Sequence, residues 1–215
     1  ARNVGLTAPR FMLRAPYGED NKVKAFNYQE SIGQDFSKLC WGSSAYAFAS
    51  NLSRSFAQYR WCPNIVGPQN GGEVLDLPVY RYTENGEQKV YSPSEVMLSD
   101  RQEFELAEQG FIGLVARKGS DNATFFSANS CQKAKFFGNS PEGKQAETNY
   151  KLGTELPYLF IIDLLAHYIK VLQREHICSW KPRNDLDREL NQLVRPYVAD
   201  QDNPPPELRS RTPLR

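Results

Sequence analysis

With 215 residues the chain is long enough for one large domain or two small ones, and it can bury a core without staples. Its 26 Lys and Arg stand against 25 Asp and Glu, so no net field draws it towards nucleic acid or membrane. Hydrophobic residues at 40% and aromatics at 12% exclude a disordered chain and predict a globular one with an aromatic-rich core or interfaces.

The N-terminal ARNVGLTAPRFMLRAPYG carries Arg2, Arg10 and Arg14 but no apolar stretch and no small-residue cleavage site, so it does not read as a secretory signal. It also lacks an initiator Met, and we expect the chain to be a fragment of a longer one. Residues 1–36, with Pro9, Pro16, Gly18 and Gly33, read as an irregular entry arm.

From Ser43 to Tyr59, Ala45, Phe48, Ala49, Leu52, Phe56 and Tyr59 recur at three- and four-residue spacing. This predicts an amphipathic helix with Ser43 as N-cap, ending before Pro63. Its flanks mirror each other, Cys40-Trp41 and Trp61-Cys62. At 1.5 Å per residue the stretch between them holds the two cysteines about 30 Å apart, whereas a disulfide needs Cα atoms within about 7 Å. They cannot pair, and buried small thiols beside Trp anchors are the simplest reading.

NIVGPQNGGEV is next, a Gly-rich loop, and then LPVYRYTENGEQKVYSP, where Asn85-Gly86 between two β-rich runs signals a hairpin. Ser99 to Gln109 reads as a second helix, with a Ser99/Gln102 capping box and Gly110 as its stop. Phe111 to Arg117 predicts a short buried strand, the turn KGSDN follows, and ATFFSANS is a further strand.

Gly138 to Gly143 is a loop and Glu142 to Leu152 a helix. The longest helix is predicted from Pro157 to about Ile177, apolar around most of its circumference and hence expected to be central and buried. Within it, PYLFIIDLLAHYIKVL (Pro157 to Leu172) is too short, and too interrupted by Asp163, His167 and Lys170, to span a bilayer. A last helix, Asp185 to Tyr197, sets Leu186, Leu190, Leu193, Val194 and Tyr197 against Asp187, Arg188, Asn191 and Gln192, and Pro196 should bend or end it. The tail QDNPPPELRSRTPLR reads as an extended, proline-rich connector.

Chemistry is hard to find. GPQNGG lacks the Lys-Ser/Thr of a phosphate loop and leads into a strand. RKGSDN (Arg117 to Asn122) offers Lys118 and backbone amides to an anion, but such sequences are more often solvated turns. Asp163 and His167 are one helical turn apart without a nucleophile beside them. His176 and Cys178 supply two soft ligands where closed zinc sites need four, so no metal or cofactor is expected. Four dispersed cysteines fit reduced thiols. Glu103, Glu105 and Glu108 read as a charged helix face. The profile is that of a structural or interaction protein. The competing class is a cysteine-dependent hydrolase using Cys40 with His167 or His176, which requires a low-pKa thiol.

Three long blocks narrow the reading: CWGSSAYAFASNLSRSFAQYRWCPNIVGPQNGGEVLDLPVY, SDRQEFELAEQGFIGLVARKGSDNATFFSANSCQKAKFF and ETNYKLGTELPYLFIIDLLAHYIKVLQREHICSW. Together with LTAPRFMLRAPYG, LDRELNQLVRPYVADQDNPP and RSRTPLR they resemble, in order over essentially the whole chain, the large sheath subunit of bacterial type VI secretion systems, the TssC or VipB family. Cys40, Cys131 and Cys178 look dispensable to the family pattern. The resemblance implies an α+β (mixed α/β) fold, a contractile phage-tail-sheath-like core with long helices packed against a small mixed sheet. It divides the chain into the arm (1–36), a sheath core domain (37–200) and a connector (201–215) towards C-terminal strands, with a further N-terminal portion before Ala1.

The resemblance also implies a cytoplasmic, non-enzymatic subunit that pairs with the small sheath subunit (TssB/VipA type) and stacks with other copies of itself. The resulting helical tube surrounds an inner tube of the haemolysin-coregulated protein, and its contraction propels tube and spike. The baseplate and the AAA+ unfoldase that recycles contracted sheath are indirect partners; nucleic acid and membrane insertion are not implied. A sheath-like component of a related phage-tail injection machine would differ in partner rather than in physics. In contractile sheaths the helix before the terminal strands tends to face the inner tube, which nominates Asp187, Arg188 and Gln192 as tube contacts.

Overall fold

The computed structural model describes the chain except for Glu19, Asp20, Ala134, Asp200, Asp202, Pro204 and Arg215. It forms two compact units, Ala1–Asn51 with Ile65–Lys133, and Leu52–Asn64 with Ala134–Arg215. These boundaries differ from the division expected at residues 36 and 200.

The first unit is built on a four-stranded mixed sheet. Strand β1 (Leu6–Ala8) runs parallel to β7 (Phe111–Ala116), which pairs antiparallel with β8 (Ala123–Phe125), and β8 pairs antiparallel with β4 (Glu73–Val74). β7 is central, and its FIGLVA run is covered on both faces, as the continuous apolar stretch predicts. Ile112, Leu114, Ala123 and Phe125 are fully buried, and Phe48 meets Phe125 edge-on with centroids 5.2 Å apart. Phe48 lies on α1 (Ser44–Tyr59), whose predicted cap is present: Ser43 Oγ accepts from the Ala45 N–H.

Helix α2 (Asp100–Glu108) packs on β7. Its capping box is complete, Ser99 accepting from Gln102 N–H while the Gln102 side chain accepts from Ser99 N–H, and Gly110 (φ +83°) ends it. Glu103 departs from the expected charged face. It is buried against Gly113, where a Cβ would come within 3.0 Å of its Cγ, and its carboxylate accepts from Ser127 Oγ at 2.6 Å. A bonded carboxylate can be buried where a lone one cannot.

The expected irregular arm contains two strands, β1 and β2 (Phe11–Arg14), the latter pairing with β3 (Cys40–Gly42). Between β2 and β3 the chain is held by Arg14, whose guanidinium donates twice to Glu30 (2.8 and 2.7 Å) and lies 3.9 Å over the Tyr17 ring. The Tyr17 N–H donates to the same carboxylate. The predicted hairpin is present as β5 (Tyr80–Glu84) and β6 (Glu87–Tyr91), with Asn85 (φ +54°) and Gly86 (φ +82°) in the left-handed region that a two-residue turn requires. One hairpin face, Tyr80, Tyr82 and Tyr91, packs on Phe36, and Trp41 joins this cluster over Met12, Ile32 and Leu39.

The second unit is helical. Trp61, just past α1, is buried and packs edge-on against Tyr197 at 4.9 Å, while its carbonyl accepts from Ser55 Oγ. Helix α3 (Pro141–Leu152) is capped by Ser140 and leads through a tight turn into α4 (Leu156–Glu175). Helix α5 (Arg183–Val194) continues as a 3-10 turn, Arg195–Tyr197, containing Pro196, so the proline loosens the helix end as expected.

Two expectations fail in this unit. First, α4 is not a buried central helix: Leu156 and Leu159 are buried, whereas Tyr158, Tyr168 and Ile169 are exposed. At 20 residues it also reaches the length and apolarity needed to cross a bilayer, although Asp163, His167 and Lys170 interrupt it. Second, the tail is not simply extended. It forms α6 (Pro206–Arg211), and the Leu214 N–H and C=O bond the backbone at Tyr197 and Ala199. Buried Ser210 accepts from Asn64 Nδ2 at 2.6 Å, a polar anchor that periodicity does not reveal.

Candidate assembly surface

An apolar surface of the helical unit lies where α4 hands over to α5. The apolar stripe of α5 is interrupted by Glu189, which occupies the position between Leu186 and Leu190 that faces α4. Its carboxylate accepts from Lys181 Nζ at 2.6 Å and sits 2.8 Å from His176 Nε2; Lys181 Nζ is 3.2 Å from that same ring nitrogen. Nε2 can donate to Glu189 or accept from Lys181, but not both, so the cluster accommodates either tautomer. Lys181, and secondarily His176, holds the Glu189 carboxyl below the usual carboxylate range.

Beside this cluster opens a groove of about 450 Å³ walled by Ile169, Leu172, Ile177, Leu186 and Leu190. Trp180, in the α4–α5 connection, is 90% exposed. An exposed apolar groove rimmed by a salt-bridged cluster is a candidate contact surface. The signal for the cluster was Glu189 itself, a carboxylate inside an apolar stripe, which sequence reasoning passed over.

Asp187, Arg188 and Gln192 lie exposed on α5, Arg188 donating weakly to Asp185 at 3.4 Å. Of the apolar side assigned to α5, Leu193, Val194 and Tyr197 are half-buried while Leu186 and Leu190 line the groove. The thiols are all free. Cys62 donates to Leu52 C=O and burial pushes its pKa up, which suits a packing role. Cys40 belongs to the first unit and His167 and His176 to the second, where His176 is engaged by Glu189 and Lys181. Among the described residues no three His, Cys, Asp or Glu side chains cluster as a metal site would require.

Residues 1–132 match the VipB family, described as the EvpB/VC_A0108 tail sheath N-terminal domain. The chain belongs to this tail sheath family. Residues 145–215 match its companion, the EvpB/VC_A0108 tail sheath gpW/gp25-like domain, and fall within the helical second unit. The chain is also 40% identical over 201 residues to the type VI secretion system sheath protein TssC1 of Pseudomonas aeruginosa, covering 92% of this chain. It spans about 40% of that relative's length. The mixed α+β architecture, helices with small mixed sheets, is that expected from the VipB resemblance.

Proposed function

We propose that the chain forms part of the large sheath subunit of a type VI secretion system, a cytoplasmic structural protein that pairs with a small sheath subunit and stacks helically around an inner tube. The observation that carries this reading is the 40% identity to a sheath protein across nearly the whole chain, with both tail sheath domains in order. A helical filament needs interfaces that join unlike surfaces and do not close on themselves. Helix α4 and the α4–α5 groove supply uncovered apolar surface for such contacts. Contraction would be a change between two packings of the same units, driven by a difference in interface energy rather than by a chemical step.

On this reading Asp187, Arg188 and Gln192 face the inner tube. Their exposure and their place on the polar side of α5 support it. The test is electron microscopy of the full-length parent protein co-expressed with the small subunit of the same gene cluster. Tubules should form, and Asp187→Lys with Arg188→Glu should leave the two-subunit complex intact while abolishing ordered tubes around the inner tube. A well-folded parent protein that forms neither tubules nor a complex with the small subunit would overturn the assignment.

A further inference from the structure

A second groove, in the first unit, is unrelated to the tube contacts above. It has a volume of about 700 Å³ and runs between the β5–β6 hairpin and the turn after β7. The hairpin register explains its chemistry. Tyr80, Tyr82 and Tyr91 are committed to Phe36 on one face, so the cross-strand pair Arg81 and Val90 is left to the other, where it lines the groove. Opposite, the turn is closed by Arg117 N–H donating to Asn122 C=O and Ser120 N–H to Arg117 C=O, and it presents Arg117 and Lys118 along the rim.

The charges do not cancel. Glu95 is held by Arg10, which donates to both its carboxylate oxygens. Arg81, Arg117 and Lys118 engage no carboxylate among the described residues, and Asp121 is the one unpaired acid among the lining side chains. The groove therefore carries an excess of two positive charges in a chain that is nearly neutral overall. Its apolar part is also uncovered, with Val90 61% and Met97 45% exposed.

From this combination we propose that the groove between the β5–β6 hairpin and the Arg117–Asn122 turn binds an extended acidic peptide segment of a partner protein, one that interleaves carboxylates with aliphatic side chains. The three cations would pair with the carboxylates, and Val90 and Met97 would take the aliphatic groups, methionine adapting to their shape. Nucleic acid fits less well. Single-strand recognition relies on aromatic rings free to stack on bases; of the hairpin's tyrosines Tyr91 reaches the lining, and its ring is already stacked on Phe36 at 4.1 Å.

The test is fluorescence anisotropy of the 215-residue chain with a fluorescein-labelled ten-residue peptide alternating Glu with Leu or Val. The controls are a peptide with Ser for every aliphatic residue, one with Lys for every Glu, and single-stranded oligothymidylate. The proposal expects saturable binding of the acidic–aliphatic peptide, weakened several-fold between 50 and 300 mM salt, and at least tenfold weaker binding by the controls. Arg117→Glu with Lys118→Glu should cost at least tenfold, and Val90→Ser, at an exposed site that cannot unfold the hairpin core, several-fold. Absence of saturable binding, equal binding of the all-Ser peptide or oligothymidylate, or affinity unchanged in these variants would each overturn the proposal.

Discussion

The two units differ in how completely they enclose an apolar core. The sheet unit closes its own core: β7 and β8 are covered on both faces, with Phe125, Leu114 and Ile112 fully buried. The helical unit leaves much of α4 in solvent, along with Trp180 and Ile177 beside it. A helix apolar around most of its circumference signals that its faces will be covered, but not by which chain. On the proposed sheath reading, the covering surface belongs to neighbouring subunits. The sheet unit then holds the buried core, and on that reading the helical unit is the part that association would complete.

The sharpest way to break this contrast is to truncate one residue of each kind. Phe125→Ala, in the dry sheet core, should cost about 3–5 kcal/mol, read by denaturant titration of the chain. Ile169→Ser, on the exposed side of α4, should stay within about 0.5 kcal/mol while reducing self-association in sedimentation. Equal losses at the two sites would mean that α4 is buried within the chain and would dissolve the contrast.

A second, smaller effect concerns acid. Arg14 above all, with help from the Tyr17 N–H, brings the Glu30 carboxyl down to about 2. Because the folded value is depressed, the stabilisation is fully present above the ordinary value near 4.5 and is lost as pH falls towards 2. Glu30→Gln should therefore cost about 1–2 kcal/mol at pH 7, discounted for partial exposure, and the cost should shrink between pH 4.5 and 2. The Glu189 pair in the helical unit has the same sign, so Glu189→Gln should also lose its effect in acid, and its exposure makes that effect the weaker one. Thermal melts across this pH range check both.

Smaller again is the N-cap of α2. Ser99→Ala should destabilise the sheet unit by about 1 kcal/mol, measurable by the same titration, because the Gln102 N–H then loses its Ser99 hydroxyl acceptor.

Much of the fold was legible where local chemistry decides it. Asn85-Gly86 dictated the hairpin, Ser99 and Gln102 the start of α2, Gly110 its end, and Ser43 the entry to α1. What could not be read depended on distant partners. β1 is three residues long and is a strand because β7, about a hundred positions later, pairs with it. Glu103 looked like surface until Ser127 and the bare backbone of Gly113 gave it a buried place. The tail helix is held by Asn64 at Ser210, a contact across 146 positions. Of the candidate surface, the polar residues of α5 were visible in its periodicity, whereas the His176–Glu189–Lys181 cluster needed the turn between α4 and α5 to bring it together.

On the proposed sheath reading, association completes the helical unit. Hydroxyl-radical footprinting of the full-length protein, compared between the two-subunit complex and assembled tubules, tests it most directly. Tyr168, Ile169 and Trp180 should lose reactivity on assembly while the already buried Phe125 and Leu114 stay silent in both states. Unchanged reactivity of α4 and Trp180 in tubules would contradict it.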